Sequence, residues 1–331
     1  MQNGDDVASA VTELMAANDR QDADGLYAAL NTIVERAPES SPEALQVAVE
    51  RLVPVLAGIP FGVGADLAGI AGSMAGMALD PTVVLPVLVE RGIDAARRAM
   101  LFAEVYEGEL PDPGDTGQVD RVVETFGGDR SLIEAWFCAG DWLQPVLYLM
   151  QRMELRRALP ERDALTTAVA AVKEHIGQAH WLHGLLLVLD DTKLVVLDRA
   201  SGAGFEVTIS GVGDNFQLHT LLAARLIGPG RLPGTPPTPE MIAAATDGDL
   251  TPPGGIVGQF NLVDAYGKWI WNEGRPADIP LFHGERVVVL DPPAYARGWN
   301  AGRAYPLMIP TVTVDRTLLT AEATAWLDKV E

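Results

Sequence analysis

Hydrophobic residues change their spacing just past the middle of the chain. Upstream, apolar residues recur every three or four positions, as at Leu45, Val49 and Leu52, which places them on one face of an α-helix. Downstream, short apolar runs alternate with glycine and proline, a pattern typical of β-strands. The pattern predicts an α+β protein in which an all-α helical domain, residues 1–176, packs on an α+β domain, residues 177–331.

The second domain is expected to contain a mainly antiparallel or mixed sheet. Apolar runs at 185–189 and 194–197 flank turn-forming residues, which predicts a hairpin whose tip is 190–193. Consecutive apolar residues in these runs predict a sheet covered on both faces, by helices at 214–227 and 320–330. Further strands are expected at 205–209, 257–263, 267–272, 286–291 and 310–315.

A loop rich in proline and glycine, residues 228–255, interrupts this domain. Loops of this length are usually functional or mobile. Thr238 and Pro239 have the types expected at the start of a helix, so we predict a short helix that ends at Ala245. The loop is a candidate lid or partner-binding arm.

The tripeptide Pro-Val-Leu occurs three times in the helical domain, at 54–56, 86–88 and 145–147. A proline inside a helix removes a backbone hydrogen bond and kinks the helix. In this respect residues 40–155 resemble HEAT-like helical repeats. The resemblance implies a solenoid whose concave face binds other proteins; an irregular helical bundle is the alternative.

The segment 52–79 has the length of a membrane-spanning helix, but prolines, glycines and Asp66 interrupt it. The spacing of Gly72 and Gly76 also suits close packing between helices of a water-soluble array. We therefore predict tight helix packing here and no membrane association.

The formal net charge of −21 restricts the classes of partner. Nucleic acids and anionic lipid surfaces would repel such a chain, so neither is expected as a partner. Another protein with a basic surface is the expected partner. Cys138 is the single cysteine and lies in an apolar context, which predicts a buried side chain. The N-terminal sequence lacks the features of a secretory signal, so a cytoplasmic location is expected, and the Ala, Gly and Arg content suggests a bacterial source.

Catalytic and metal-binding patterns are missing from the sequence. His175, His180 and His183 are close in sequence, but they do not form the HExxH pattern of a helical zinc site. No glycine-serine-glycine elbow and no phosphate-binding loop occurs. Asp214 and Gln217 match a helix capping box instead of a catalytic pair. The sequence therefore predicts no catalytic residue, no metal site and no cofactor.

The segment 291–305 combines arginines with aromatic residues, the side chains enriched at binding hot spots. Prolines and glycines separate them, and an apolar strand precedes the segment. Period-two spacing places two further tryptophans on one face of an earlier strand. The predicted binding residues are Trp269, Trp271, Tyr295, Arg297, Trp299, Asn300 and Arg303. The alternative is a loop whose aromatic residues pack against its own domain.

These features predict a non-enzymatic protein-interaction or scaffold protein, with a helical platform and an α+β recognition domain. One alternative is a hydrolase or transferase with a pocket under the 228–255 loop, in which Asp291, His283 or Asp198 acts as the acid or base. Another is a sensor whose arginine-rich loop binds a small anion.

Overall fold

The computed structural model describes residues 3–159, 161–250 and 255–331. Within these residues the chain folds into two compact units. The first unit runs to Met150 and resumes over Ala158–Leu186, and the second consists of Gln151–Arg157 and Leu187–Glu331.

The α-helices concentrate in the first unit, and every strand among the described residues lies in the second. The helices are α1 (Asn3–Asp19), α2 (Ala23–Arg36), α3 (Pro42–Gly58), α4 (Phe61–Met77), α5 (Leu85–Val105), α6 (Val119–Phe126), α7 (Arg130–Leu149), α8 (Met153–Ala158), α9 (Arg162–Val172), α10 (Gly177–Leu186), α11 (Asn215–Leu226), α12 (Pro239–Ala245) and α13 (Thr320–Leu327). The strands are β1 (Thr192–Asp198), β2 (Ala203–Ser210), β3 (Gly255–Val257), β4 (Asn261–Asp264), β5 (Leu281–Phe282), β6 (Glu285–Asp291), β7 (Gly298–Asn300) and β8 (Thr311–Thr317). This distribution confirms the predicted α+β class.

The first unit is an array of helices around α7. Helix α7 packs against α4, α5, α6 and α10, and α1 packs against α2 and α3. Its centre is formed by Trp136, Trp142 and Phe102, all fully buried. Helix α10 packs against α7 and α9, so it belongs to this unit although the predicted boundary lay before it.

Small residues allow α4 and α7 to approach closely. A Cβ added at Gly72 would collide with Pro145, and one added at Gly76 would collide with Tyr148. Gly72 and Gly76 therefore serve helix packing, as expected. No helix in the described part of the chain combines the length and apolarity needed to cross a bilayer.

The three Pro-Val-Leu copies are not structurally equivalent. Pro54 lies inside α3 and Pro145 inside α7, as expected for interior prolines. Pro86 lies in the first turn of α5, where the missing N–H is not needed. The prediction of an interior proline that kinks the helix is wrong for this copy, which weakens the likeness to a regular repeat.

The second unit is built on a six-stranded mixed sheet with the order β4-β6-β1-β2-β8, in which β5 also pairs with β6. Strands β1 and β6 are parallel, and the other pairs are antiparallel. Leu194 and Val196 of β1 face a core with α11, whereas Val195 and Leu197 face a core with α13. The sheet is thus covered on both faces, as its apolar runs predicted.

The predicted hairpin is wrong in its first strand. Leu185 and Leu186 end helix α10, because Ala179, Leu182 and Leu185 repeat at helical spacing and are all buried. A short apolar run does not distinguish a strand from the end of a buried helix. The hairpin of the structure joins β1 to β2, through a turn that contains Gly202 at φ 72°.

Most other predicted elements are present in the second unit. Helices α11 and α13 and strands β2, β6 and β8 form where expected, and α12 begins after its Thr238 cap. The predicted strand at 267–272 is reduced to one bridge between Val263 and Trp269. The predicted strand at 257–263 is divided between the end of β3 and β4. Residues 251–254 of the Pro/Gly-rich loop lie outside the described residues.

Candidate binding site

The predicted binding residues separate into an exposed group and an inward-facing group. The exposed residues are Trp269, Trp271, Tyr295 and Asn300, and the more buried residues are Arg297, Trp299 and Arg303. Asn300 belongs to β7, which pairs with β3 in a two-stranded sheet. The two groups have different surroundings.

Trp269, Trp271 and Tyr295 form a continuous exposed patch, called the aromatic surface below. The ring centroids of Trp269 and Trp271 are 6.3 Å apart, and those of Trp269 and Tyr295 are also 6.3 Å apart. The residues are 41%, 68% and 58% exposed, respectively. Neighbouring aromatic rings with this exposure on one surface are typical of a binding site.

The backbone below the aromatic surface explains why the two indoles point outward. Ile270, between them, is buried and donates its backbone N–H to the carbonyl of Leu262, so its two neighbours face the other side. The side-chain amide of Asn215 donates to the carbonyl of Trp271 at 2.8 Å. The first backbone N–H groups of α11 donate to the carbonyls of Asn272 and Gly274. These bonds fix the tryptophan-bearing loop while leaving the rings exposed.

A cavity of about 200 Å³ lies beside the aromatic surface. Trp269 and Trp271 form one part of its wall, and Arg275 and Asp278 contribute charged groups. Its lining residues are Asn215, Asp264, Trp269, Ile270, Trp271, Gly274, Arg275, Asp278, Ile279 and Pro280. Asn215 is 1% exposed, and its Oδ1 accepts no hydrogen bond from any described residue. The cavity therefore places the charged side chains of Arg275 and Asp278 next to two aromatic rings.

Trp299 packs inside the second unit instead of joining the aromatic surface. Its ring centroid lies 4.7 Å from that of His219 and 5.5 Å from that of Phe216. His219 is fully buried, and its Nε2–H donates to the carbonyl of Phe260 at 3.1 Å. Burial lowers the pKa of His219 to about 4, so the ring is neutral near pH 7. Packing on this cluster favours a structural role for Trp299.

The two arginines of the loop also point into the unit. Arg303 donates from Nη1 to the carbonyls of Ala244 and Gly248, at 2.9 and 3.0 Å, and from Nε to the carbonyl of Pro306 at 2.8 Å. Its Nη1 thus holds the end of α12 and the following turn, and its Nε holds the loop at Pro306. Arg297 lies near Trp299, and its buried Nε and Nη2 find no acceptor among the described residues.

A second cavity, of about 260 Å³, lies under the Pro/Gly-rich loop. Pro236, Pro237 and Met241 form its outer wall, and Ile256 contributes to the opposite wall. Asp291, His283 and Asp198, the candidate acids and bases of an enzyme, are not among its described lining residues. Asp291 instead forms an ion pair with Arg199, with Nε and Oδ1 2.7 Å apart. In the described residues, the candidate acids and bases therefore do not line this cavity.

Other reactive residue types have structural surroundings. Cys138 is buried in α7, and burial raises the pKa of its thiol to about 12, which suppresses the reactive thiolate. Asp214 accepts from the backbone N–H of Gln217 at 2.8 Å and caps α11, as predicted. Gln217 Oε1 accepts from the backbone N–H of Gly213 instead of that of Asp214. The second hydrogen bond of the predicted capping box is therefore absent. Within the described residues, no three histidine, cysteine or acidic side chains gather as metal ligands.

Sequence reasoning missed the polar wall of the aromatic surface and a groove in the first unit. Asn215 is far from the two tryptophans in sequence. Arg275 is close to them but lies in a turn without a hydrophobic pattern. The spacing of residues in the sequence could therefore reveal neither. The groove is lined by Tyr27, Leu30 and Val34 of α2, and by residues of α4 and α7. Their helical spacing was a usable signal, although it does not distinguish a groove wall from a core face.

Comparisons with protein-family models, curated proteins and solved structures find no match to this chain.

Proposed function

We propose that this chain is a non-enzymatic protein-interaction protein whose second unit binds an extended segment of a partner through the aromatic surface. The observation that carries the proposal is the exposure of three adjacent aromatic rings, Trp269, Trp271 and Tyr295. Aromatic side chains bury a large area on binding with little loss of rotamer entropy, so they often dominate binding energy.

Preorganisation of the site supports this function. Hydrogen bonds from Asn215 and from the start of α11 fix the Trp271 loop before any partner arrives. A site that is already ordered loses less conformational entropy on binding. An extended segment of alternating prolines or aliphatic residues would place flat apolar faces on the rings, as in other aromatic-lined peptide grooves.

The polar wall and the charge of the chain indicate the partner's chemistry. Arg275 and Asp278 in the wall of the cavity can pair with polar or charged groups of the partner. The net charge of −21 favours a partner with a basic surface and accelerates its approach. A reducing bacterial cytoplasm is the proposed setting, since the chain carries a single, buried cysteine.

A site-specific crosslinking experiment tests the proposal. A photoreactive phenylalanine analogue is placed at Tyr295 and, in a second protein, at Trp181, which is also exposed but belongs to α10. We expect irradiation in cells to give protein adducts of defined mass from position 295 and not from position 181. Trp271→Ala, introduced into the position-295 protein, should abolish the adducts.

Two results would contradict the proposal. Adducts of equal yield from both positions would show non-specific contact. An absence of protein adducts at position 295, with a normally folded chain, would remove the aromatic surface as a protein-binding site.

A further inference from the structure

The first unit contains an elongated apolar groove between α2 and α4, of about 530 Å³. Helix α2 packs against α1, and α4 packs against α3 and α7, so the two walls are held by different neighbours. The groove is lined by α2 and the turn after it, by α4 and by α7. Tyr27, Val34 and Met77 leave large apolar side chains exposed along this groove. Exposed apolar grooves of this kind mark interaction sites.

The shape of the groove suits a helix. The α4 wall extends from Ala65 to Met77, a distance of about 18 Å at the rise of an α-helix. The α2 wall repeats once per turn, at Tyr27, Leu30 and Val34. Side chains of a third helix have the same repeat and can pack between those of the walls. A compact small molecule would use only part of this length.

The floor of the groove has open space at its centre. A Cβ built on Gly69, in the middle of the α4 wall, meets no atom within 4 Å. Two other glycines of α4 are different, because a Cβ at Gly64 would collide with Trp142 of α7 and one at Gly72 with Pro145 of α7. Helix α4 therefore uses Gly64 and Gly72 for internal packing and presents Gly69, with open space around it, to the groove.

The charges of the groove are both negative. Asp66 and Asp141 are the only charged residues among its described lining residues. Neither carboxylate forms an ion pair or hydrogen bond with another described residue. Burial raises the pKa of Asp141, and the negative charge of Asp66 raises it further. A cation brought by a ligand would relieve this repulsion.

We propose that the groove binds an amphipathic helix of a partner protein that carries a lysine or arginine within its apolar face. The apolar walls supply the contact area, and the two carboxylates select the cation. This site is separate from the aromatic surface and does not depend on the function proposed for it. Together the two sites would let one chain engage two segments of protein.

A phage-displayed library of amphipathic helices, with the centre of the apolar face randomised, tests the proposal on the full chain. Binders are selected on the wild-type protein and counter-selected on the Gly69→Leu variant, whose new side chain fills the open space. The matched control is Gly58→Leu, because Gly58 also has open space around it but lies at the end of α3, outside the groove. Circular dichroism establishes that both variants are folded.

We expect the selected helices to carry lysine or arginine at the randomised position. Their affinity should fall about tenfold or more on Gly69→Leu and stay unchanged on Gly58→Leu. Asp66→Asn with Asp141→Asn should weaken binding about tenfold, whereas Glu13→Gln, an acid of α1 outside the groove, should not.

Each of several outcomes would overturn the proposal. One is a selection that returns no binder sensitive to Gly69→Leu. Another is selected helices that lack a basic residue or bind the doubly neutralised variant equally well. A concentration-dependent dimer of the free chain that Gly69→Leu dissolves would assign the groove to a second copy of this protein instead.

Discussion

Arg156 and Asp190 form a bidentate ion pair inside the second unit. Arg156 Nη2 lies 2.8 Å from Oδ1 of Asp190, and Nε lies 3.1 Å from Oδ2. The two side chains are only 1% and 7% exposed. Arg156 also donates from Nη1 to the carbonyl of Gln151, and Asp190 Oδ1 accepts from the N–H of Gly211. The pair explains why Gln151–Arg157 belongs to the unit that contains the sheet.

Removing one charge of this pair should be strongly destabilising. Asp190→Asn keeps an oxygen for Gly211 but leaves the Arg156 charge buried, so we expect the free energy of unfolding to fall by about 3–5 kcal/mol. Arg156→Met combined with Asp190→Asn removes both charges and should recover most of that loss. Urea denaturation of the three proteins measures the effect. Arg130→Met breaks a more exposed pair and should have a much smaller effect; an equally mild Asp190→Asn would contradict the prediction.

The two groups of tryptophans should respond differently to truncation. Trp299 packs on His219 and Phe216, so Trp299→Ala should lower the free energy of unfolding by about 3 kcal/mol. Trp271 is 68% exposed, so Trp271→Ala should change it by less than about 0.5 kcal/mol. Thermal and urea unfolding of both variants gives the comparison. A large loss for Trp271→Ala would mean that its ring supports the fold, and the aromatic surface would lose its main binding residue.

Elements with a sustained pattern could be predicted from the sequence, whereas a short apolar run could not. Helix α3 has a Ser41 cap and a repeat of buried leucines and valines, and β6 is an uninterrupted apolar run between polar residues. The run 185–189 has no periodicity of its own, so its first residues joined the helix that precedes it. Tertiary packing decided that case.

The candidate site was only partly predictable, because the residue composition of a segment does not determine the direction in which its side chains point. Aromatic and arginine residues between 291 and 305 suggested contact, but Arg303 turns inward to bind carbonyls of a loop far away in sequence. Period-two spacing did place Trp269 and Trp271 together, since it depends only on the local backbone. Asn215, at the start of α11, forms part of the cavity wall. It is distant in sequence from the tryptophans, and a single sequence does not reveal that they lie together.

Two glycines of α4 should have opposite effects when replaced by alanine. Gly72→Ala places a methyl group against Pro145 and should destabilise the protein by about 1–3 kcal/mol. Gly69→Ala meets open space and should stabilise it by about 0.5–1 kcal/mol, because alanine favours the helix. Thermal unfolding of the two variants provides the measurement, with each variant as the control for the other. Equal effects would show that α4 and α7 are not in close contact.

The burial of His219 should make the stability of the protein depend on pH. In the folded protein burial lowers the pKa of His219 to about 4, below its ordinary value of 6.5. Between these values the unfolded chain binds a proton that the folded chain does not, so stability decreases as the pH falls from about 6.5 to about 4. The full contribution is about 3 kcal/mol, present above this range and lost below it. His219→Gln keeps a donor for the carbonyl of Phe260 but cannot take up a proton.

The difference between the two proteins isolates this effect, because all other titrating groups are common to both. Urea denaturation from pH 7.5 to pH 4 should show the free energy of unfolding of the wild type falling by about 3 kcal/mol relative to that of His219→Gln. Parallel curves for the two proteins would mean that the imidazole takes up its proton in the folded chain as readily as in the unfolded one. That result would contradict the dry packing of His219 against Trp299 and Phe260.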